Sequence, residues 1–304
     1  MASSVLITGA SKGIGAACAS RLAQAGWTVF AGVRRQQDAD KLVAATAGDI
    51  RPVRLDVSDE DQIGAAVAEI REVVGSTGLG GLVSNAGIGL PGPVEIVPVE
   101  DWRRQFEVNL FGAVALTRAV FELVRVADGR FVYIGSQAGR FSPAGMAPYA
   151  ASKHALAALC ESLWHEVAKT PMSVSLIEAG NVKTPIWDSA TEQNDRVTAM
   201  LPDPRRADYA SQMLALRGLA IDGAEHGITT ERVVDKVEHA LVAKRPKARY
   251  LVGPDARAIG GVVTRLPGPV RARIVAALTW RWARIGARAS QGPRPARRDA
   301  QRGA

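Results

Sequence analysis

Short apolar and β-branched runs alternate along the first 250 positions with stretches whose apolar residues recur at helical spacing. Residues 4–8 read as a buried strand, and Ile14, Cys18, Leu22 and Ala25 then line one face of a helix over 14–25. The beat repeats, with strands predicted at 27–33, 53–56, 79–84, 130–135, 173–178 and 248–253. Helices fall between them at 38–47, 59–74, 99–124, 148–170 and 230–243, the one at 59–74 opening on Ser58 as an N-cap with acids in its first turn. The strands are nearly continuous apolar runs, as needed when both faces are covered. The fold class is therefore α/β: one doubly wound parallel sheet of about seven strands with helices on both sides.

The rhythm breaks between Pro185 and Thr229, where Pro185, Pro202 and Pro204 fall among mixed polar and apolar residues. Insertions after the sixth strand lie over the ligand crevice of such sheets, so 185–229 is expected to be a mobile lid of one or two short helices. Residues 256–304 form an extension with one apolar-basic helix at 270–285 and a basic, disordered tail. No repeat and no linker divides residues 1–255, which read as one domain.

Composition changes this picture little. The 304 residues are 47% hydrophobic and 22% charged, with a formal charge of +8. Residues 287–304 carry five arginines against Asp299, so half of the excess sits in a solvated end. No zinc-finger, RNA-binding or stacking pattern accompanies it, and no nucleic-acid partner is expected. Cys18 and Cys160 do not form a metal-spaced set and suit a reducing compartment. No secretory leader is recognised, and no apolar run approaches the ~18 residues of a spanning helix. The expected location is the cytoplasm. Trp280 and Trp282 among arginines suit weak contact of the extension with an anionic membrane surface, against the alternatives of a packed helix or a free tail.

The candidate chemistry begins at Gly9, Ser11, Lys12, Gly13, Ile14 and Gly15, between the first strand and first helix. Glycines at 9, 13 and 15 let the backbone turn sharply and approach a pyrophosphate, which the helix N-terminus attracts. The second strand ends in Val33-Arg34-Arg35 with no acid until Asp38. An arginine fork, with Lys12 beside it, suits a ribose 2′-phosphate, so NADP(H) is favoured over NAD(H). Tyr149 and Lys153 stand four apart on one helical face, where the ammonium would stabilise the phenolate. Ser136 ends the fifth strand, at the edge where ligands bind. Phe141, Met146, Ile186, Trp187, Met200 and Met213 are candidates for a lipophilic pocket, or else plain core.

In this order, the glycine turn, Asp56, Asn85-Ala86-Gly87, Asn109, Ser136, Tyr149 and Lys153 resemble the short-chain dehydrogenase/reductase family over residues 3–253. The resemblance implies a Rossmann domain in which Asp56 and Val57 touch the adenine and Asn85, Ala86 and Gly87 line the cofactor. It makes Asn109 the holder of a relay water, Ser136 the substrate-orienting hydroxyl and Tyr149 the acid/base. Lys153 would tune that tyrosine and bind the nicotinamide ribose, and Gly180, Val182 and Thr184 would flank the nicotinamide. Two departures are Ser84 for an asparagine and Ala179 for a proline before Gly180. The segment 249–256 and the extension after it are similar to the steroid and retinoid branch, which implies a small lipophilic substrate, and the family resemblance of the long helices around Asn109 and Tyr149 implies a homodimer or homotetramer. The readings left open are a lipophilic alcohol/ketone oxidoreductase, a 3-ketoacyl-thioester reductase, and a non-enzymatic cofactor-binding sensor or scaffold.

Overall fold

The computed structural model describes residues 4–290, which form one parallel sheet of seven strands. These are β1 (Ser4–Thr8), β2 (Thr28–Val33), β3 (Ile50–Arg54), β4 (Gly81–Ser84), β5 (Arg130–Ser136), β6 (Ser173–Ala179) and β7 (Arg249–Val252). The helices are α1 (Gly13–Gln24), α2 (Gln36–Ala45), α3 (Glu60–Val74), α4 (Val99–Phe106), α5 (Gly112–Val126) and α6 (Ala147–Glu166), then α7 (Ile186–Met200), α8 (Asp203–His226), α9 (Thr230–Val242), α10 (Pro254–Gly261) and α11 (Gly268–Ser290). Spatial order is β3-β2-β1-β4-β5-β6-β7. The chain moves outward from β1 to β3, returns, and lays β4 on the other side of β1. Loops leaving the carboxyl ends of β1 and β4 therefore part in opposite directions and open a crevice.

Period-two alternation splits the strands between two cores. Leu6, Phe30, Leu82, Phe131 and Leu176 pack with Ile70, Leu116, Val120 and Leu156 of α3, α5 and α6. Val5, Ile7, Val29, Val83, Val132 and Ile177 pack with Leu22, Val234 and Val237 of α1 and α9. Each such side chain contributes roughly 1.5–3 kcal/mol on burial. That holds the strand ends, and hence the crevice loops, in fixed register.

The expected sheet is present, with local differences. The third strand lies at Ile50–Arg54 and not 53–56, pairing Val29 with Ile50 through Val33 with Arg54. Pro52 argues against a strand only where its nitrogen must donate, and β3 is an edge. The predicted 99–124 helix is α4 and α5 joined by a π-helical turn at Glu107–Phe111. The expected short lid helices are two long ones, α8 having 24 residues. Pro185 and Pro202 are their N-caps and Pro204 lies in the first turn of α8, positions where proline starts a helix. The helix predicted at 270–285 extends over Gly268–Ser290 and packs along α8. The expected disordered tail, from residue 291 onward, lies outside the described residues.

Candidate active site

The glycine turn is cinched to the end of β4. Thr8 Oγ1 accepts from the backbone N–H groups of Asn85 and Ala86, each at 2.9 Å. Asn85 Nδ2 returns a bond to the Thr8 carbonyl at 2.9 Å and one to Gly9 at 3.3 Å. Gly9 and Gly13 have φ of 63° and 59°, a region costly for other residues. A Cβ on Gly15 would stand 2.3 Å from the Gly9 carbonyl oxygen. No side chain caps α1, so its first N–H groups face the crevice uncontested. Ser11, Lys12, Gly13 and Ile14 line a cleft of about 980 Å³ that continues past Arg34, Asp56, Val57, Asn85, Ala86 and Gly87 to Tyr149 and Lys153 and on to Gly180, Val182 and Thr184. Its length and glycine-bared floor fit an extended dinucleotide.

At the end of the cleft near β3, Asp56 Oδ1 accepts from the Ser58 hydroxyl at 2.7 Å and the Ser58 N–H at 3.1 Å. Partial burial pushes this carboxyl up, but the two Ser58 bonds and the Arg34 charge together leave it below its ordinary value. Arg34 is exposed on the cleft wall with Nη1 3.8 Å from Asp56. Arg35 departs from the expected fork. Its guanidinium grips Asp38, at 2.9 and 3.2 Å, outside the cleft lining. Of the three basic residues, Lys12 and Arg34 line the cleft and Arg35 does not.

The candidate catalytic residues Ser136, Tyr149 and Lys153 meet where β5 approaches α6. Ser136 Oγ accepts from the Ala138 N–H at 3.1 Å and turns its own proton toward the Tyr149 hydroxyl. Tyr149 is half-buried on the first turn of α6, beside Gly89, and both line the cleft. Lys153, one turn on, is buried, donates to the Ile134 carbonyl at 2.9 Å and stands 5.9 Å from the Tyr149 ring centroid. Gly87 clears this corner, since a Cβ there would lie 3.4 Å from Asn109 Oδ1 and 3.7 Å from Lys153 Nζ.

Loss of water dominates both groups. Burial lowers Lys153 to about 8, still charged at neutral pH. Burial raises the Tyr149 phenol above its ordinary value, against a hydrogen bond from Ser136 that favours the anion. The lowering expected from the ammonium is not found: desolvation and the Ser136 bond are what act on the phenol, and desolvation is the larger.

Asn109 is buried in the π-helical turn, a distortion that frequently accompanies functional sites. Its Oδ1 accepts from Ile88 N–H at 2.8 Å, and its Nδ2 donates to the Ile88 carbonyl and Ser152 Oγ, both at 3.0 Å. The side chain brackets the β4 loop to α6, and a relay water would need other atoms to hold it.

Of the candidate pocket residues, Phe141, Met146, Ile186 and Trp187 line the cleft. Met200 is 43% exposed at the end of α7, and Met213 is core beside Val97, Val197 and Leu216. The sequence reading missed Val108, Leu219, Ile259 and Trp282 as lining residues. Val108 had a signal, since it precedes Asn109. The other three come from helices whose crossing no local pattern reveals.

Comparison with known proteins places these features. The short chain dehydrogenase family model matches residues 3–195. The chain is 35% identical over 255 residues to an NADPH-dependent 3-dehydrocapnine reductase of Ornithobacterium rhinotracheale, covering 82% of this chain and 87% of that one. It is 34% identical over 267 residues to retinol dehydrogenase 7 of Rattus norvegicus, covering 83% and 81%. Among solved structures, a short chain dehydrogenase/reductase from Burkholderia phymatum in complex with NAD superposes with a TM-score of 0.72 at 26% identity, covering 87% of this chain and 92% of that one.

Proposed function

The chain belongs to the short-chain dehydrogenase/reductase family and is an oxidoreductase; from that premise we propose that it interconverts a lipophilic secondary alcohol and its ketone, or an aldehyde, with NADP(H). The observation that carries this reading is the convergence of Ser136, Tyr149 and Lys153 on one wall of the cleft that the glycine turn opens. When bound, the nicotinamide supplies or accepts the hydride. Ser136 donates to the substrate oxygen, turning its proton to it from the Tyr149 hydroxyl. Tyr149 gives its proton to that oxygen in reduction, and its raised phenol stays protonated at neutral pH. Lys153, still positive there, stabilises the phenolate left behind.

Lys12 and Arg34 at the mouth support preference for the phosphorylated cofactor, as does the NADPH-dependent relative. Phe141, Met146, Ile186 and Trp187 support an apolar substrate, in keeping with the retinol-type relative. The test is cofactor consumption with both reduced nicotinamides over steroids, retinoids, aliphatic ketones and 3-ketoacyl thioesters. Turnover confined to the thioesters would replace the reading, and none with any carbonyl would end it.

The same reading holds a homodimer or homotetramer, supported by Phe111 and Trp164, 54% and 42% exposed around α5 and α6. Light scattering that returns one chain at micromolar concentration would remove it. A cytoplasmic location belongs to the proposal too; no helix among the described residues is long and apolar enough to cross a membrane.

A further inference from the structure

The family match ends at residue 195, yet the cleft does not. Leu219 of α8, Ile259 of α10 and Trp282 of α11 complete its lining. Trp282 is 8% exposed and packs with Ala215, Leu219, Met146 and Trp187. Two glycines bring it there. A Cβ on Gly218 of α8 would fall 1.8 Å from the Trp282 carbonyl oxygen, and one on Gly286 of α11 would fall 2.0 Å from that of Leu214. The helices therefore cross with their backbones touching, which carries the indole past α8 to the cleft.

Asp222 fixes its orientation. One carboxylate oxygen accepts from the Trp282 indole at 3.4 Å, and the other from Arg281 at 3.0 Å. His226 Nδ1 lies 3.3 Å from that second oxygen. A second glycine of α8, Gly223, seats Trp187, where a Cβ would lie 2.4 Å from the ring. Two indoles are thus pressed against one helix, and both face the cleft that holds Tyr149.

We propose that Trp282 is the specificity-determining end wall of the substrate chamber, so that α11 sets how long an apolar group can extend from the carbonyl held at Ser136 and Tyr149. The substrate class is a ketone or aldehyde with an extended apolar substituent whose far end stops at the indole. This rests on the function proposed above.

The test measures kcat and KM of the full-length enzyme for a homologous series of straight-chain ketones, with Trp282→Ala, Trp282→Phe and Leu219→Phe beside the wild type. Trp282→Ala should move the optimum to longer ketones and weaken the short ones through KM, by about tenfold or more, the effect of a methylene or two in an apolar pocket. Trp282→Phe should fall between, and Leu219→Phe should shorten the optimum. An unchanged length profile in variants that melt cooperatively would overturn the proposal. If Trp282→Ala fails to fold, the other two decide, and unchanged profiles in both overturn it. Should the wild type reduce steroids or retinoids but no member of the series, the end wall falls and the parent reading stands; should it reduce no carbonyl of any class with either nicotinamide, both fall.

Discussion

At the residue scale, burial shifts one phenol up and one ammonium down. Tyr149→Phe removes the proton and little volume, so kcat should fall by about 10²–10⁴, the usual worth of a positioned acid, with cofactor affinity within a few-fold by fluorescence titration. Undiminished turnover would exclude Tyr149. Lys153 gives a thermodynamic test. Its pKa in the folded protein is about 8 against an ordinary 10.5, so between those values the unfolded chain binds more protons. Stability must therefore rise with pH through that window, by up to about 3 kcal/mol. Lys153→Met loses that dependence, so any stability advantage it holds near pH 7 should shrink steadily from pH 8 to 10.5 in chemical denaturation of the cofactor-free protein. A difference constant with pH would show that burial does not depress the amine. The site residues named from sequence are those in short local motifs: a glycine turn, a four-residue step along a helix, a serine ending a strand. Arg35 went the other way because its competitor, Asp38, sits in the next turn and offers a bidentate partner that a loop arginine accepts.

At the element scale, strand-helix alternation was legible because burial on both faces forces near-continuous apolar strands. β3 slipped because an edge strand tolerates Pro52. The roof was least legible. α8 has apolar positions around much of its circumference, since it meets α7 on one side and α11 on another, so no single stripe announces it. The glycines that decide its packing look like helix weaknesses from sequence. Gly286→Val should make that packing measurable. The new side chain collides with the α8 backbone, which cannot yield as a flexible side chain would. The expected cost is about 3 kcal/mol, at the upper end for overpacking, or undocking of α11. Denaturant unfolding and limited proteolysis would report either, the latter as early cleavage within 268–290. Wild-type stability and an unchanged digest would mean that the two helices do not touch at these glycines.

At the scale of the molecule, the charge excess has an address within the described residues. α11 holds Arg271, Arg273, Arg281, Arg284 and Arg288 and no acid. Arg281 is tied to Asp222, whereas Arg273, Arg284 and Arg288 are exposed around Trp280. Trp280 is 63% exposed, with the Arg284 guanidinium 4.6 Å from its ring centroid. One face of the helix thus carries Trp282 to the substrate cleft while the other presents arginines and an indole to solvent. Such a face complements an anionic bilayer, where an amphipathic helix lies at the surface and each arginine is worth about 1 kcal/mol. The full chain should float with phosphatidylglycerol-containing vesicles and not with phosphatidylcholine alone, and salt should release it. Changing Arg273, Arg284 and Arg288 together to Gln should weaken this partitioning about 100-fold, the sum of three such contributions, while turnover of a water-soluble ketone stays as in the wild type. Equal flotation of the triple variant, or none by the wild type at low salt, would leave the arginines as solvated surface and the bilayer without a part in delivering substrate.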